Sequence, residues 1–219
     1  MTEAEWLKCK KRPDTMLTYL ADKAGERKLR LYACASAREL WARHEPDNFT
    51  EQLLSFGELI ADGLLDKKIL TRAAEKAWRK AGGGITSSLT TRGQETNSVQ
   101  RAVVAAILAQ STPWNAAGYF TTKPWLLSNG ADRAKLCLLI REVFGNPFRP
   151  GSLDPAWRTP AVLHLAQALY DDRAFEQLPI LADALEEAGC TSRDVLDHCR
   201  GPGPHVRGCW AVDLVLGKG

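Results

Sequence analysis

The chain has 219 residues, 45% of them apolar and 25% charged, and 29 Lys and Arg against 26 Asp and Glu give a formal net charge of +3. That length supports a buried core in one domain or two small ones, and that composition excludes an intrinsically disordered chain. The basic excess is too small to call for nucleic acid by itself, because phosphate neutralisation needs basic residues gathered on one face.

No stretch reaches the roughly 18–20 uninterrupted apolar residues of a membrane-spanning helix, and the most apolar run, AVVAAILA, reads as a buried helix. The opening MTEAEWLKCKKRPD lacks the basic-then-apolar pattern of a secretory signal. The expected setting is therefore cytoplasmic and reducing. There the six cysteines, at positions 9, 34, 137, 190, 199 and 209, are free thiols or metal ligands rather than disulfides.

Helical periodicity runs through nearly the whole chain. Thr2 stands three residues before Glu5, a capping-box spelling for a short first helix, and TMLTYLADKAG follows as a second that stops at Gly25. RKLRLYACASARELWARH places Leu29, Ala33, Ala37, Leu40 and Trp41 on one helical face and Arg27, Arg30 and Arg38 mostly on the other. EPDNFTEQLLSFGELIADG, with Asp47 or Asn48 as N-cap and Gly63 as terminator, and KKILTRAAEKAWRKAG supply two more helices. Residues 82–97, with three adjacent glycines followed by Ser and Thr, read as a loop or linker and as the domain boundary. SVQRAVVAAILAQ is again helical, whereas Thr112 to Trp125 is irregular around Pro113 and Pro124.

Further on, ADRAKLCLLIREVFG predicts a helix with Leu136, Leu139, Ile140 and Val143 facing inward and Gly145 ending it. Asn146 to Pro155 is extended around Pro147 and Pro150, and Asp154 caps a helix that begins at Pro155. TPAVLHLAQALYDD, FEQLPILADALEEAG and TSRDVLDHC are helical, the last with a Thr191/Asp194 capping-box spelling. HVRGCWAVDLVLG reads as a final helix, with a strand as the alternative. The expected fold class is all-α, an irregular multi-helix bundle or a short stack of antiparallel helical hairpins. Residues 1–81 and 98–219 form its two helical parts, packed as one unit.

Chemistry concentrates in DHCRGPGPHVRGCW, residues 197–210. Cys190, Cys199, His205 and Cys209 follow a C-x8-C-x5-H-x3-C spacing, and four N/S donors near turns are what a tetrahedral zinc site requires. The order resembles that of Cys-Cys-Cys-His zinc fingers with the last two ligand types exchanged, set among amphipathic helices instead of a small finger. The competing reading makes the thiols small hydrophobes in a core. Arg200, Arg207 and Gly203 form a second candidate, an anion site at a helix start, against a purely structural turn in which Arg200 caps the preceding helix. Catalytic signatures such as G-x-S-x-G, the phosphate-loop motif and H-E-x-x-H are missing, so no catalytic residue is assigned. An enzyme site would have to join His198 or His205 to a distant carboxylate in three dimensions. The Arg27/Arg30/Arg38 stripe, interleaved with acids, reads as a salt-bridged solvated face rather than a nucleic-acid surface.

EAEWL, RKLRLYACA, IREVFGNPFRP, DPAW and the run from LPILADALEEAGC through HCRGPGPHVRGCWAVDLVLGK resemble an uncharacterised bacterial paralogous family marked by an HCRGPGPHVRGCW-type C-terminal motif. Both termini carry the resemblance, whereas the region from Gly82 to Asn129 departs from it. It implies a stand-alone or appended helical module, transfers no catalytic residue, and points toward binding a protein partner, with a regulatory or immunity-like role. The expectation is a non-catalytic cytoplasmic module that engages an unknown protein through Gly82 to Asn97, Thr112 to Trp125 or Asn146 to Pro155. The alternatives are a zinc-stabilised module and an enzyme whose site the sequence hides. No membrane partner is expected.

Overall fold

The computed structural model describes residues 1–41, 48–80, 117–118 and 130–218, and among them are ten α-helices and no strand. The all-α expectation holds. The helix expected at SVQRAVVAAILAQ, the Gly-rich segment 82–97 and nearly all of 112–125 lie outside the described residues. Among the described residues, no helix is long and apolar enough to cross a membrane.

The chain divides into two compact units, Met1–Gly25 with Asn129–Gly219, and Glu26–Ser128. The boundaries differ from the expected partition at residues 82–97, because the N-terminal segment folds onto a helix of the C-terminal part.

Within the second unit, α3 (Glu26–Trp41) packs on α4 (Asn48–Ala61), and α4 on α5 (Lys67–Lys80). Helix α3 is buried on more than the expected stripe: Leu29, Ala33 and Ala37 are covered, but so are Leu31, Tyr32 and Arg30. The arginine face is salt-bridged, with partners contributed by and just after α4. Arg27 Nε meets Asp62 Oδ1 at 2.9 Å, and Arg38 bridges Glu51, at 2.6 Å, and Glu58. Gly63, at φ +72°, ends the α4 segment in the left-handed region as expected.

In the first unit, α1 (Glu3–Lys8) starts with the expected capping box: Thr2 Oγ1 accepts from the Glu5 amide and Glu5 Oε2 accepts from the Thr2 amide. Trp6, fully buried, donates its indole N–H to the Gly145 carbonyl at 3.2 Å. Arg141, on α6 (Gly130–Phe144), returns Nη1 bonds to the Trp6 and Cys9 carbonyls. Helix α2 (Pro13–Tyr19) packs along α6, and Tyr19 stacks on Phe148. These long-range contacts explain why the N-terminal segment belongs with α6.

Leu136, Leu139, Ile140 and Val143 of α6 are buried as predicted. Asp154 caps only a single 3-10 turn, Pro155–Trp157, and the next helix, α7 (Pro160–Asp172), takes Thr159 as its N-cap. Then come a 3-10 turn at Phe175–Gln177 and three helices: α8 (Leu178–Glu187), α9 (Arg193–Arg200) and α10 (Trp210–Leu216). Helix α9 starts after Ser192 without a side-chain cap, so the expected Thr191 box is not formed. Val162, Ala166, Leu181, Leu185, Val195 and Val212 from these four helices share one apolar core.

Candidate metal centre

Glu142 lies on the last turn of α6, on the same inward stripe as Leu139, three residues before it, and it is 4% exposed. His198 lies near the end of α9, which stops at Gly201. The chain then reverses through Gly203 (φ +81°), a cis Gly203–Pro204 bond and Gly208 (φ +93°) before α10 begins. A Cβ at Gly203 would fall 2.7 Å from the His205 amide nitrogen, so this turn needs glycine for space as well as for its backbone angle. The final helix expected over HVRGCWAVDLVLG is therefore shorter and begins only at Trp210. His205 sits in the turn, and Cys209 is the residue preceding α10.

One donor atom each from Glu142, His198, His205 and Cys209 lies within 4.8 Å of all the others. His205 Nδ1 is 3.2 Å from Glu142 Oε1, His198 Nε2 is 3.3 Å from Glu142 Oε2, and His198 Nε2 is 3.1 Å from Cys209 Sγ. Zinc bonds of about 2.0–2.3 Å in a tetrahedron set ligand atoms roughly 3.3–3.6 Å apart, which is the scale of these separations. Such a buried Glu/His/His/Cys group could hold a metal ion.

The electrostatics follow from burial and from the contacts with Glu142. Burial by itself would raise the Glu142 carboxyl, but hydrogen bonds from His198 and His205 outweigh it and hold the group at about 2. For His205, burial works to lower the value and the Glu142 contact overcomes it, so the imidazole is held above its ordinary range. Cys209, wholly buried beside the Glu142 carboxylate, is pushed well above an ordinary thiol, first by burial and then by that charge. The carboxylate is thus favoured ionised, the His205 imidazole in its charged form and the thiol in its neutral one.

Around them, Trp210 donates its indole N–H to His198 Nδ1 at 3.1 Å, and His205 Nε2 faces the Gly201 carbonyl at 3.1 Å. The indole is wedged between two glycines. A Cβ at Gly145 would come within 3.1 Å of Trp210 Cγ, and one at Gly151 within 2.9 Å of Cζ3.

Of the four ligands read from spacing, the structure brings His205 and Cys209 into the group and leaves Cys190 and Cys199 out of it. Cys199 follows His198 on a helix, so its side chain is turned about 100° away and enters the apolar core. Burial there, with the Glu142 charge, pushes its thiol up to about 12. Cys190 is in the same core, and all six cysteines are free thiols. The spacing argument missed Glu142 because it lies 63 residues from His205. The legible sign was an acid on the apolar stripe of α6.

The anion candidates are engaged elsewhere. Arg200 Nη2 reaches Asp183 at 2.7 Å and Glu186 at 2.6 Å on α8, and the Arg207 guanidinium lies 4.5 Å over the Tyr170 ring. Gly203 serves the turn described above.

No protein-family model matches the chain, and neither a curated protein nor a solved structure is significantly similar to it.

Proposed function

We propose that this protein is a zinc-stabilised helical module in which the ion ties the end of α6 to the α9–α10 corner. The observation that carries the reading is the convergence of Glu142, His198, His205 and Cys209 from three separated segments into one buried group. Zinc suits the donors: imidazole and thiolate favour it, and a thiolate with a carboxylate neutralises a divalent charge in a site where net charge is costly. Because the site is assembled from separated segments, the ion's binding free energy contributes to folding.

Presentation of the helical surface to a protein partner, in a cytoplasmic setting, ranks behind this reading. Of the three loops expected to engage a partner, the described one, residues 146–155, spends its side chains within its own unit. Asn146 and Arg149 both meet Glu3 Oε1, at 2.8 and 2.9 Å, and Phe148 stacks on Tyr19.

Elemental analysis of protein purified without chelator tests the zinc reading. One zinc per chain is expected, with a melting temperature that falls on chelation and recovers on zinc addition. A fully folded, metal-free protein indifferent to both treatments contradicts it.

A further inference from the structure

The two histidines of the group are wired oppositely. An indole N–H is a donor only, so the bond from Trp210 requires a lone pair on His198 Nδ1 and places the His198 proton on Nε2. That N–H points at Glu142 Oε2 and Cys209 Sγ, at 3.3 and 3.1 Å. His205 differs at its outer nitrogen: Nε2–H donates to the Gly201 carbonyl, while Nδ1–H donates to Glu142 Oε1, a proton that a metal ion would replace. A histidine whose outer nitrogen donates to a backbone carbonyl is the usual arrangement of a metal ligand; one whose outer nitrogen accepts is not. Glu142 divides its oxygens accordingly, Oε1 toward the His205 nitrogen and Oε2 toward the His198 N–H.

The Trp210 ring packs closely against Gly145 and Gly151. It fills the space that side chains there would take, with a Cβ at either position falling within about 3 Å of ring atoms. The His198 side chain is 19% exposed, against 9% for His205 and 3% for Glu142, and Cys209 is buried completely.

We infer, resting on the zinc reading above, that the ion takes three ligands from the chain, Glu142 Oε1, His205 Nδ1 and Cys209 Sγ. His198 is then a positioning residue that donates to the ligating carboxylate and thiolate, and the fourth coordination position takes an exchangeable small ligand, water or a monodentate anion. Three protein ligands and one open position is the arrangement of zinc sites that bind outside molecules.

The test uses the full chain. Zinc affinity is measured by chelator competition for the unsubstituted protein, His198→Gln, His205→Gln and Cys209→Ser, with circular dichroism confirming the fold of each. His198→Gln keeps an amide N–H donor and is expected to retain one zinc per chain with affinity reduced about tenfold, the scale of an outer-shell loss. His205→Gln and Cys209→Ser are expected to lose more than about a hundredfold, as removal of a direct ligand exceeds that scale. Independently, azide added to the cobalt-loaded, unsubstituted protein shifts its visible bands if one position exchanges. Loss in His198→Gln equal to that in His205→Gln, or cobalt bands indifferent to azide, overturns the three-ligand assignment while leaving the zinc reading standing. A protein that binds no metal removes both.

Discussion

Glu58 and Glu142 are both buried, 2% and 4% exposed, one in each compact unit, and they keep different company. Glu58 is answered by Arg38, which also holds Glu51. A guanidinium is always charged, so that pair is complete as it stands, and the two carboxylates in turn raise the Arg38 value against the burial that lowers it. Glu142 is answered by two imidazoles and lies beside a thiol, none of them a permanent cation. A buried carboxylate with a fixed cation is a structural ion pair. One surrounded by imidazoles and a thiol could hold a metal ion.

Four experiments press on that contrast. The largest effect is expected from zinc itself: at a thousandfold excess over its dissociation constant, an ion bound only to the native state adds about 4 kcal/mol. Cys209→Ser removes that zinc-dependent gain in thermal melts, whereas substitutions at Glu58 leave it intact. Second, Arg38→Met strands Glu58; the roughly 3–5 kcal/mol typical of a broken buried pair falls to about 2–3 because Arg38 is partly solvated. Urea denaturation should return the same loss with and without zinc. Third, Gly145→Ala forces a side chain into the left-handed region at φ +66° and against Trp210, at a cost of about 1–3 kcal/mol for the backbone strain. Its zinc affinity should also fall, because the indole that holds His198 is displaced.

The fourth concerns pH. In metal-free protein the raised His205 value means that its contribution to stability is full below the ordinary histidine value near 6.5 and is lost as pH rises through the raised one. The lowered Glu142 value contributes above the ordinary glutamate value and is lost only as pH falls through about 2. Stability of the metal-free protein should therefore decline as pH rises above about 6.5, while that of the zinc-loaded protein rises as ligand protons leave. Melting curves across that range in chelator and in zinc check the opposite slopes. Parallel slopes would mean that a proton and a zinc ion do not share the site.

The helical character was legible because period and punctuation agree. Gly63 and Gly145 stop their helices, and Thr2 caps its own with its side chain. What stayed hidden was set by contacts distant along the chain. Nothing local in EAEWLK says that Trp6 will donate to Gly145, so the unit boundary escaped a reading built on linker composition. At the site, one spacing gathered Cys190, Cys199, His205 and Cys209 because all four are close in sequence, and proximity in sequence does not say which side chains share a direction. Helix geometry turns Cys199 into the core and offers His198 in its place, and Glu142 arrives from another helix altogether. A buried acid among Leu139, Ile140 and Val143 was the available clue, since a charge on an apolar stripe needs a partner.

X-ray absorption at the zinc edge on the loaded, full-length chain tests the central claim most directly, because sulfur and nitrogen or oxygen neighbours differ in distance. The account predicts one sulfur at about 2.3 Å and the remaining ligands, nitrogen or oxygen, at about 2.0–2.2 Å. Two or three sulfurs, as the cysteine-rich set of Cys190, Cys199 and Cys209 would give, or a protein that takes up no zinc, would contradict it.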